Sequence, residues 1–243
     1  MDRYLRQKQF SGLTPSFQSI LSNARFLIAG AGATGTHTFE MLLRCGAGHI
    51  DICDDDTVEL HNLQRQFIYT ELDIGRYKTD ILPEWARVVN SGTAVTSHRQ
   101  RLTETSVSAL LEENRCAAII DCTDNFSSRF MLSRAGLTYN IPVFFQGSAG
   151  AEGFVFAQIP GSACLACFMN EKTCKGKEHN AATDGIFSPV CGIASSLTVS
   201  LILAYINGTP LLQEYMTFNS YPPFTAQHIP VARDSRCTVC GQK

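Results

Sequence analysis

Arg25-Phe26-Leu27-Ile28-Ala29-Gly30-Ala31-Gly32-Ala33-Thr34-Gly35 decides the fold of this chain. A short apolar run enters a loop with glycine at 30, 32 and 35, and a helical pattern follows through Arg44. That is a buried strand turning through a glycine loop into a helix, the opening of a Rossmann unit. Glycine lets the backbone approach a phosphate or an adenosine closely, and the free N–H groups at the helix start favour an anion. Alone the loop is a weak signal, because oxidoreductases, methyltransferases and many other enzymes carry one.

The next strand, His49-Ile50-Asp51-Ile52-Cys53-Asp54, ends about twenty residues after the loop, where a Rossmann unit binds ribose. Asp54 is therefore the expected ribose ligand; the plainer alternative is a solvated acid in the acidic turn Asp54-Asp55-Asp56. The run continues Thr57-Val58-Glu59-Leu60-His61-Asn62-Leu63-Gln64-Arg65-Gln66, with Lys78 a short distance on. Arg and Lys converging near a nucleotide bind β- and γ-phosphates and stabilise charge on a leaving pyrophosphate. A dinucleotide site has no triphosphate to neutralise, so the stretch predicts ATP rather than NAD. A solvated helix face is the competing reading of Arg65 and Lys78.

Outward from these motifs, strands and helices alternate. Residues 1–24 read as amphipathic helical material ending in a loop, 72–90 and Thr103–Asn114 as helices, and Ala94–Arg99 as a strand. Cys116–Asp121 and Ile141–Phe145 read as further buried strands with a helix between them. The expectation is an α/β Rossmann-like fold, a mainly parallel sheet with helices on both faces. After Gly147 the pattern shifts to short strands, Phe154–Ala157 the clearest, then a loop from Asn170 to Phe187, a helix from about Gly192 to Ile206 and two final strands. A loop that long without its own structure is typically functional. No interdomain linker is evident. One domain over 1–243 is expected, with a nucleotide-binding lobe at about 25–147 and an extension with antiparallel strands at about 148–243.

Composition is ordinary and globular, 44% hydrophobic and 17% charged with a formal net charge of −2, so a nucleic-acid surface is not indicated. The N-terminus lacks a signal peptide's apolar core, and the window Ala194–Ile206 reads as too short and too rich in Ser and Thr to span a bilayer. A cytoplasmic protein is expected. Four of the ten cysteines form the pairs Cys164/Cys167 and Cys237/Cys240, two knuckles that read as four thiolates on one structural zinc. A redox CxxC is the rival, but neither pair follows a thioredoxin-like βαβ pattern. Cys45, Cys53, Cys116, Cys122 and Cys191 read as small buried side chains.

Asp124 follows the strand ending at Asp121 and reads as the N-cap of the next helix, at the edge of the sheet where ligands bind. A carboxylate there can also hold Mg²⁺ against ATP phosphates. Asp121 is the weaker candidate.

Together with the opening Arg3-Tyr4-Leu5-Arg6-Gln7 and the segment Asp121-Cys122-Thr123-Asp124-Asn125, these motifs resemble in order and kind the ThiF/MoeB/HesA family, relatives of ubiquitin-activating enzymes. The resemblance covers almost the whole chain. It implies a homodimer that uses ATP and Mg²⁺ to adenylate the C-terminal Gly-Gly carboxylate of a small ubiquitin-like sulfur carrier, for thiamine- or molybdopterin-type sulfur transfer. It implies nucleotide contacts from Gly30, Gly32, Ala33, Gly35, Asp56, Gln66 and Asn125, with Asp54 on the ribose. It implies phosphate contacts from Asn62, Arg65 and Lys78 and a Mg²⁺ contact from Asp124, with Arg6 reaching into the partner subunit's site.

Two departures stand out. The fourth loop position, often Gly in that family, is Ala33, and the Cys that many members carry shortly before Gly185-x-x-x-Pro189-x-x-Gly192 is missing from Asn180–Asp184. Cys174, flanked by Lys172, Lys175 and Lys177, is the candidate nucleophile, since nearby lysines lower a thiol's pKa. No rhodanese-like segment is present, so sulfur is expected from a separate donor protein. The alternative acceptors are a peptide C-terminus or a tRNA base, neither of which needs a thioester. An NAD oxidoreductase leaves Arg65, Lys78, Asp124 and the knuckles unexplained, and a non-enzymatic adapter leaves the intact charged set unexplained.

Overall fold

The computed structural model describes residues 2–113, 115–174 and 181–241. One sheet organises them, built from β1 (Arg25–Ala29), β2 (His49–Cys53), β3 (Ala94–His98), β4 (Ala118–Asp121), β5 (Val143–Ala149), β6 (Glu152–Gln158), β7 (Glu214–Asn219) and β8 (Thr225–Pro230). Their order is β3-β2-β1-β4-β5-β6-β7-β8. The first five pair parallel; from β5 onward the pairs are antiparallel. This is the Rossmann-like α/β sheet that the sequence predicts, extended by an antiparallel hairpin and edge.

Helices are α1 (Leu5–Lys8), α2 (Phe17–Leu21), α3 (Ala33–Cys45), α4 (Lys78–Val89), α5 (Glu104–Glu113), α6 (Phe126–Tyr139), α7 (Glu171–Cys174), α8 (Ala181–Asp184) and α9 (Pro189–Ile206). Side-chain alternation along β1 explains the layers. Phe26 and Ile28 join a core with Phe39, Leu42 and Leu82, whereas Leu27 and Ala29 join one with Val107, Phe130 and Leu132. Both faces of the parallel strands are thus covered, which is why they read as continuous apolar runs.

Several boundaries differ from the sequence reading. Residues 1–24 form two short helices rather than one amphipathic stretch. The helix expected over 72–90 begins only at Lys78, because Glu71–Asp73 closes a 3₁₀ turn capped by Thr70 and Gly75 has φ 86°. A positive φ stops a right-handed helix. The expected 170–187 loop contains α7 and α8; Lys175–Asn180 lie outside the described residues. Cys53, Cys122 and Cys191 are buried as expected, but Cys45 and Cys116 are half-buried.

α9 starts earlier than expected, with Pro189 in its first turn, where the missing N–H has no intrahelical partner to lose. At 18 residues and mean hydropathy 1.8 it is long and apolar enough to cross a membrane by length and composition, correcting the reading taken from its shorter window. Here its Val190, Ala194, Thr198 and Ile202 are buried, and it packs on α3, β5 and β6.

Candidate active site

The glycine loop is shaped by contacts that only glycine permits at two positions. Gly30 has φ 101°, and a Cβ there would meet the Cys122 carbonyl oxygen at 2.7 Å. A Cβ on Gly35 would run into the Gly30 carbonyl. Gly32, the N-cap of α3, has open space instead, its nearest neighbour being Gln66 Nε2 at 3.9 Å. The first two glycines therefore serve packing, and Gly32 keeps room beside the helix N-terminus for a ligand. Ala33, the first residue of α3, also lines that space.

Asp54, just beyond β2, is fixed from two sides. Its Oδ2 accepts from Ala31 N at 2.6 Å and its Oδ1 from Asp56 N at 2.8 Å. Burial pushes its carboxyl above the ordinary value, opposed by the charge of Lys78 and the two amides. Lys78, the first residue of α4, is 4% exposed. Its Nζ donates to Asp56 Oδ2 at 2.9 Å and lies 4.0 Å from Asp54 Oδ1. The acidic turn thus balances a buried cation. Asp54, Asp55 and Asp56 also bring carboxylate oxygens close enough to hold a cation.

Asn62 closes the 3₁₀ turn Leu60–Asn62 and accepts from Glu59 N at 3.2 Å. Arg65, one turn on, donates to the His61 carbonyl at 2.8 Å. Gln66 is 4% exposed, and its Oε1 has no hydrogen-bond partner among the described residues. A buried amide oxygen left unpaired is costly, and Gln66 stands in the wall of a cavity. These side chains, with Gly32, Asp54 and Lys78, surround a cavity of about 340 Å³ at the carboxyl end of the parallel strands.

Asp124 lines the same cavity and is exposed. It is not the N-cap of α6. Asn125 has the extended cap conformation, φ −138° and ψ 146°, and its Oδ1 accepts from Ser128 N at 2.9 Å. The strand's exit turn occupies Cys122–Asp124, which moves the helix start one residue on. Among the described residues, the Asp124 carboxylate makes a single long contact, to Asn125 Nδ2 at 3.4 Å.

Sequence reasoning missed Arg129, in the first turn of α6 and 7% exposed. Its Nε lies 3.4 Å from the fully buried Asp121 Oδ2, its Nη2 donates to Thr123 O, and its guanidinium stands 4.7 Å from the Phe154 ring. It borders the first cavity and also a larger one of about 760 Å³, which runs along the outer face of β6–β8 past Phe154, Thr217 and Gln227. The available signal was an arginine set among apolar residues of a helix that follows a buried strand.

Two candidates lie elsewhere. Arg6 is exposed on α1 and borders no part of its own chain's cavity. Cys174, on α7, is half-buried against an apolar cluster that includes Phe154 and Tyr215, outside the smaller cavity. Lys172 is described; Lys175 and Lys177, the other two flanking lysines, lie outside the described residues. Cys191 is buried yet borders the small cavity, its Sγ 3.5 Å from Ser148 Oγ.

A family model for the ThiF family matches residues 4–239. The chain belongs to the ThiF family. Among ThiF-family relatives, it is 34% identical to the sulfur carrier protein ThiS adenylyltransferase of Bacillus subtilis, over 99% of this chain and 72% of that one. It is 28% identical to the molybdopterin-synthase adenylyltransferase of Escherichia coli, over 100% and 97%. The crystal structure of E. coli MccB with ATP shares the fold, with TM-score 0.84 and 23% identity over 99% of this chain and 74% of that one.

The fold brings the two cysteine knuckles of this ThiF-family chain together. Cys164 Sγ lies 3.9 Å from Cys167 Sγ and 3.7 Å from Cys237 Sγ, and Cys167 Sγ lies 3.4 Å from Cys240 Sγ. A disulfide needs about 2.0 Å. A zinc about 2.3 Å from four sulfurs needs them about 3.8 Å apart, so the donor set fits that ion.

Asp121 gives the fold a measurable pH dependence. Burial pushes its carboxyl up from 3.8 to about 6, against the opposing charge of Arg129. Between those values the folded state keeps a proton that the unfolded state has lost, so stability falls as pH rises through that window. A shift of about two units corresponds to about 3 kcal/mol. Urea unfolding at about pH 4.5 and about pH 7 should show about 2 kcal/mol of this loss in the native protein and none of it in Asp121→Asn. Equal slopes in the two proteins would assign the effect to other groups.

Proposed function

We propose that this protein uses ATP and Mg²⁺ to adenylate the C-terminal Gly-Gly carboxylate of a small ubiquitin-like sulfur carrier. The observation that carries the reading is the single cavity where Gly32, Asp54, Arg65, Lys78 and Asp124 converge. The names of the relatives, which include adenylyltransferases of a ThiS carrier and of molybdopterin synthase, support thiamine- or molybdopterin-type sulfur transfer as the setting.

In this reading Asp54 takes the ribose hydroxyls and the start of α3 faces the nucleotide. Asn62, Arg65, Gln66 and Lys78 hold the phosphates, and Asp56 releases Lys78 when the phosphates take over its charge. Asp124 would hold Mg²⁺, and its exposed, weakly engaged carboxylate fits that role. The ion would supply charge neutralisation on the phosphates. A carboxylate oxygen of the carrier attacks the α-phosphorus, the bond to the β-phosphate oxygen breaks, and pyrophosphate leaves. No general base is required, since the attacking carboxylate is already ionised at neutral pH. The chain's residues act by holding two anions in line and screening their repulsion.

The larger cavity that meets the first at Arg129, Gly147 and Ser148 is the approach for the carrier's tail. The reading treats 1–243 as one domain, with the lobe to about 147 holding nucleotide and the rest holding carrier and a structural zinc. It places the enzyme in the cytoplasm as a homodimer, with Arg6 serving the partner's cavity and sulfur arriving from a separate donor. Cys174 would form any thioester.

ATP–pyrophosphate exchange tests the proposal, run with Mg²⁺ and a carrier protein ending in Gly-Gly. Exchange that depends on the carrier is the expected result. Exchange with a free peptide carboxylate and none with any such carrier would replace the acceptor.

A further inference from the structure

Three side chains of the N-terminal segment are pinned to the body of the domain, and Arg6 stands among them facing away. Tyr4 packs on Gly46, the left-handed C-cap of α3 at φ 90°, where a Cβ would come within 2.5 Å of the ring. The Tyr4 hydroxyl accepts from Asn90 Nδ2 at 2.9 Å. Asn90 is the C-cap of α4, is 3% exposed, and also donates to Leu43 O at 2.7 Å. Arg3 Nη1 donates to Val89 O at 2.7 Å, and Gln7 Nε2 to Cys45 O at 3.0 Å and Gln18 Oε1 at 2.7 Å. The C-terminal ends of α3 and α4 together hold this one turn.

Arg6 is treated differently. It is exposed, and the one hydrogen bond it makes among the described residues stays within its own segment, to Gln9 Oε1 at 3.0 Å. Leu5 and Phe10 beside it are 48% and 64% exposed. A four-residue helix has no stability of its own, so an arginine on it would lose its orientation without the anchors. Anchoring the turn beforehand removes an ordering cost that phosphate binding would otherwise meet.

We propose that Tyr4, seated on Gly46 and tied to Asn90, is the positioning residue that sets Arg6 for the phosphate end of the partner subunit's cavity. The proposal rests on the homodimer reading above. It goes beyond that reading by assigning Tyr4 an effect transmitted through Arg6 alone.

The test is calorimetric titration of the purified homodimer with MgATP, for Arg6→Ala, Tyr4→Ala, Tyr4→Phe and the double variants. Arg6→Ala and Tyr4→Ala should each weaken binding by about tenfold, the scale of one charge-assisted contact. Tyr4→Ala should cost nothing further on an Arg6→Ala background. Tyr4→Phe keeps the ring on Gly46 and loses only the acceptor for Asn90, so it should weaken binding less. An equal mixture of Tyr4→Ala and Arg65→Ala proteins should recover one tight site per heterodimer.

Additive losses, or native binding by Tyr4→Ala beside weakened binding by Arg6→Ala, would overturn the positioning role and leave the shared site standing. Native binding by Arg6→Ala would overturn both. Should Tyr4→Ala fail to fold, Tyr4→Phe and its double variant make the same comparison.

Discussion

Asp124→Ala should abolish ATP–pyrophosphate exchange, by on the order of a hundredfold or more, while leaving the fold as stable as before. The two halves of that expectation come from different observations. Asp124 borders the nucleotide cavity beside Arg65 and Lys78, with its carboxylate exposed and nearly unengaged. Losing it would remove the group proposed to hold Mg²⁺ against the phosphates. The helix it precedes is capped by Asn125, whose Oδ1 takes Ser128 N, so α6 keeps its terminus in the variant. An exposed side chain without cap or core contacts changes stability by no more than about 0.5 kcal/mol. Asn125→Ala is the converse control. It should cost about 1 kcal/mol of stability, the value of a lost N-cap, whatever it does to exchange. Near-native exchange by Asp124→Ala at saturating Mg²⁺ would remove the metal-holding role from this residue and shift attention to the Asp54–Asp56 turn.

The part of the site that could be read in the sequence is the part built from consecutive residues. Gly30 and Gly35 are dictated by close backbone approach, and Asp54 by the length of one helix and one strand after the loop. Arg65 and Lys78 are brought to Asp54 by a single turn and the start of α4, so their spacing carried the information. The α6 cap was misread by one residue because Asp124 and Asn125 are equally good caps. Only the point where the chain leaves β4 separates them. Arg129 escaped notice because its meaning depends on Asp121 and on Phe154, a residue on another strand. The larger cavity escaped for the same reason, being formed across three antiparallel strands whose outer residues look like ordinary surface. The start of α4 was misplaced because Gly75 looks tolerable in a helical pattern until its positive φ is known. Local sterics wrote the glycine-loop cavity into the sequence; long-range pairing wrote the larger one.

Removing the metal expected at the knuckles should lower the melting temperature by more than about 10 °C and leave nucleotide binding at low temperature largely intact. The four sulfurs sit at separations that suit one tetrahedral ion, and the two knuckles are 73 residues apart in the chain. Hydrogen bonds among the described residues tie the tail beyond β8 to the rest of the chain at few points, among them Val231 N to Gln213 O, Asp234 N to Cys167 Sγ and Arg233 to the Gly161 carbonyl, and Val231 is buried beside Val143 and Phe156. A structural zinc contributes binding free energy directly to folding, on the order of 10 kcal/mol in small domains, which far exceeds what those hydrogen bonds supply. Without it, Cys164, Cys237 and Cys240 would be buried polar groups in a cluster with little else to pair with. None of the four cysteines lines the cavity that holds Asp54, Arg65 and Lys78. Loss of the ion should therefore loosen the tail and the start of the segment after β6 before it disturbs Arg65 or Lys78. Metal analysis should find about one zinc per chain. Cys237→Ser should reproduce the chelated protein's melting temperature and retain MgATP binding in the cold. A folded native protein that contains no metal and melts unchanged after chelation would leave the four cysteines as a reduced, purely packed cluster and end the zinc reading.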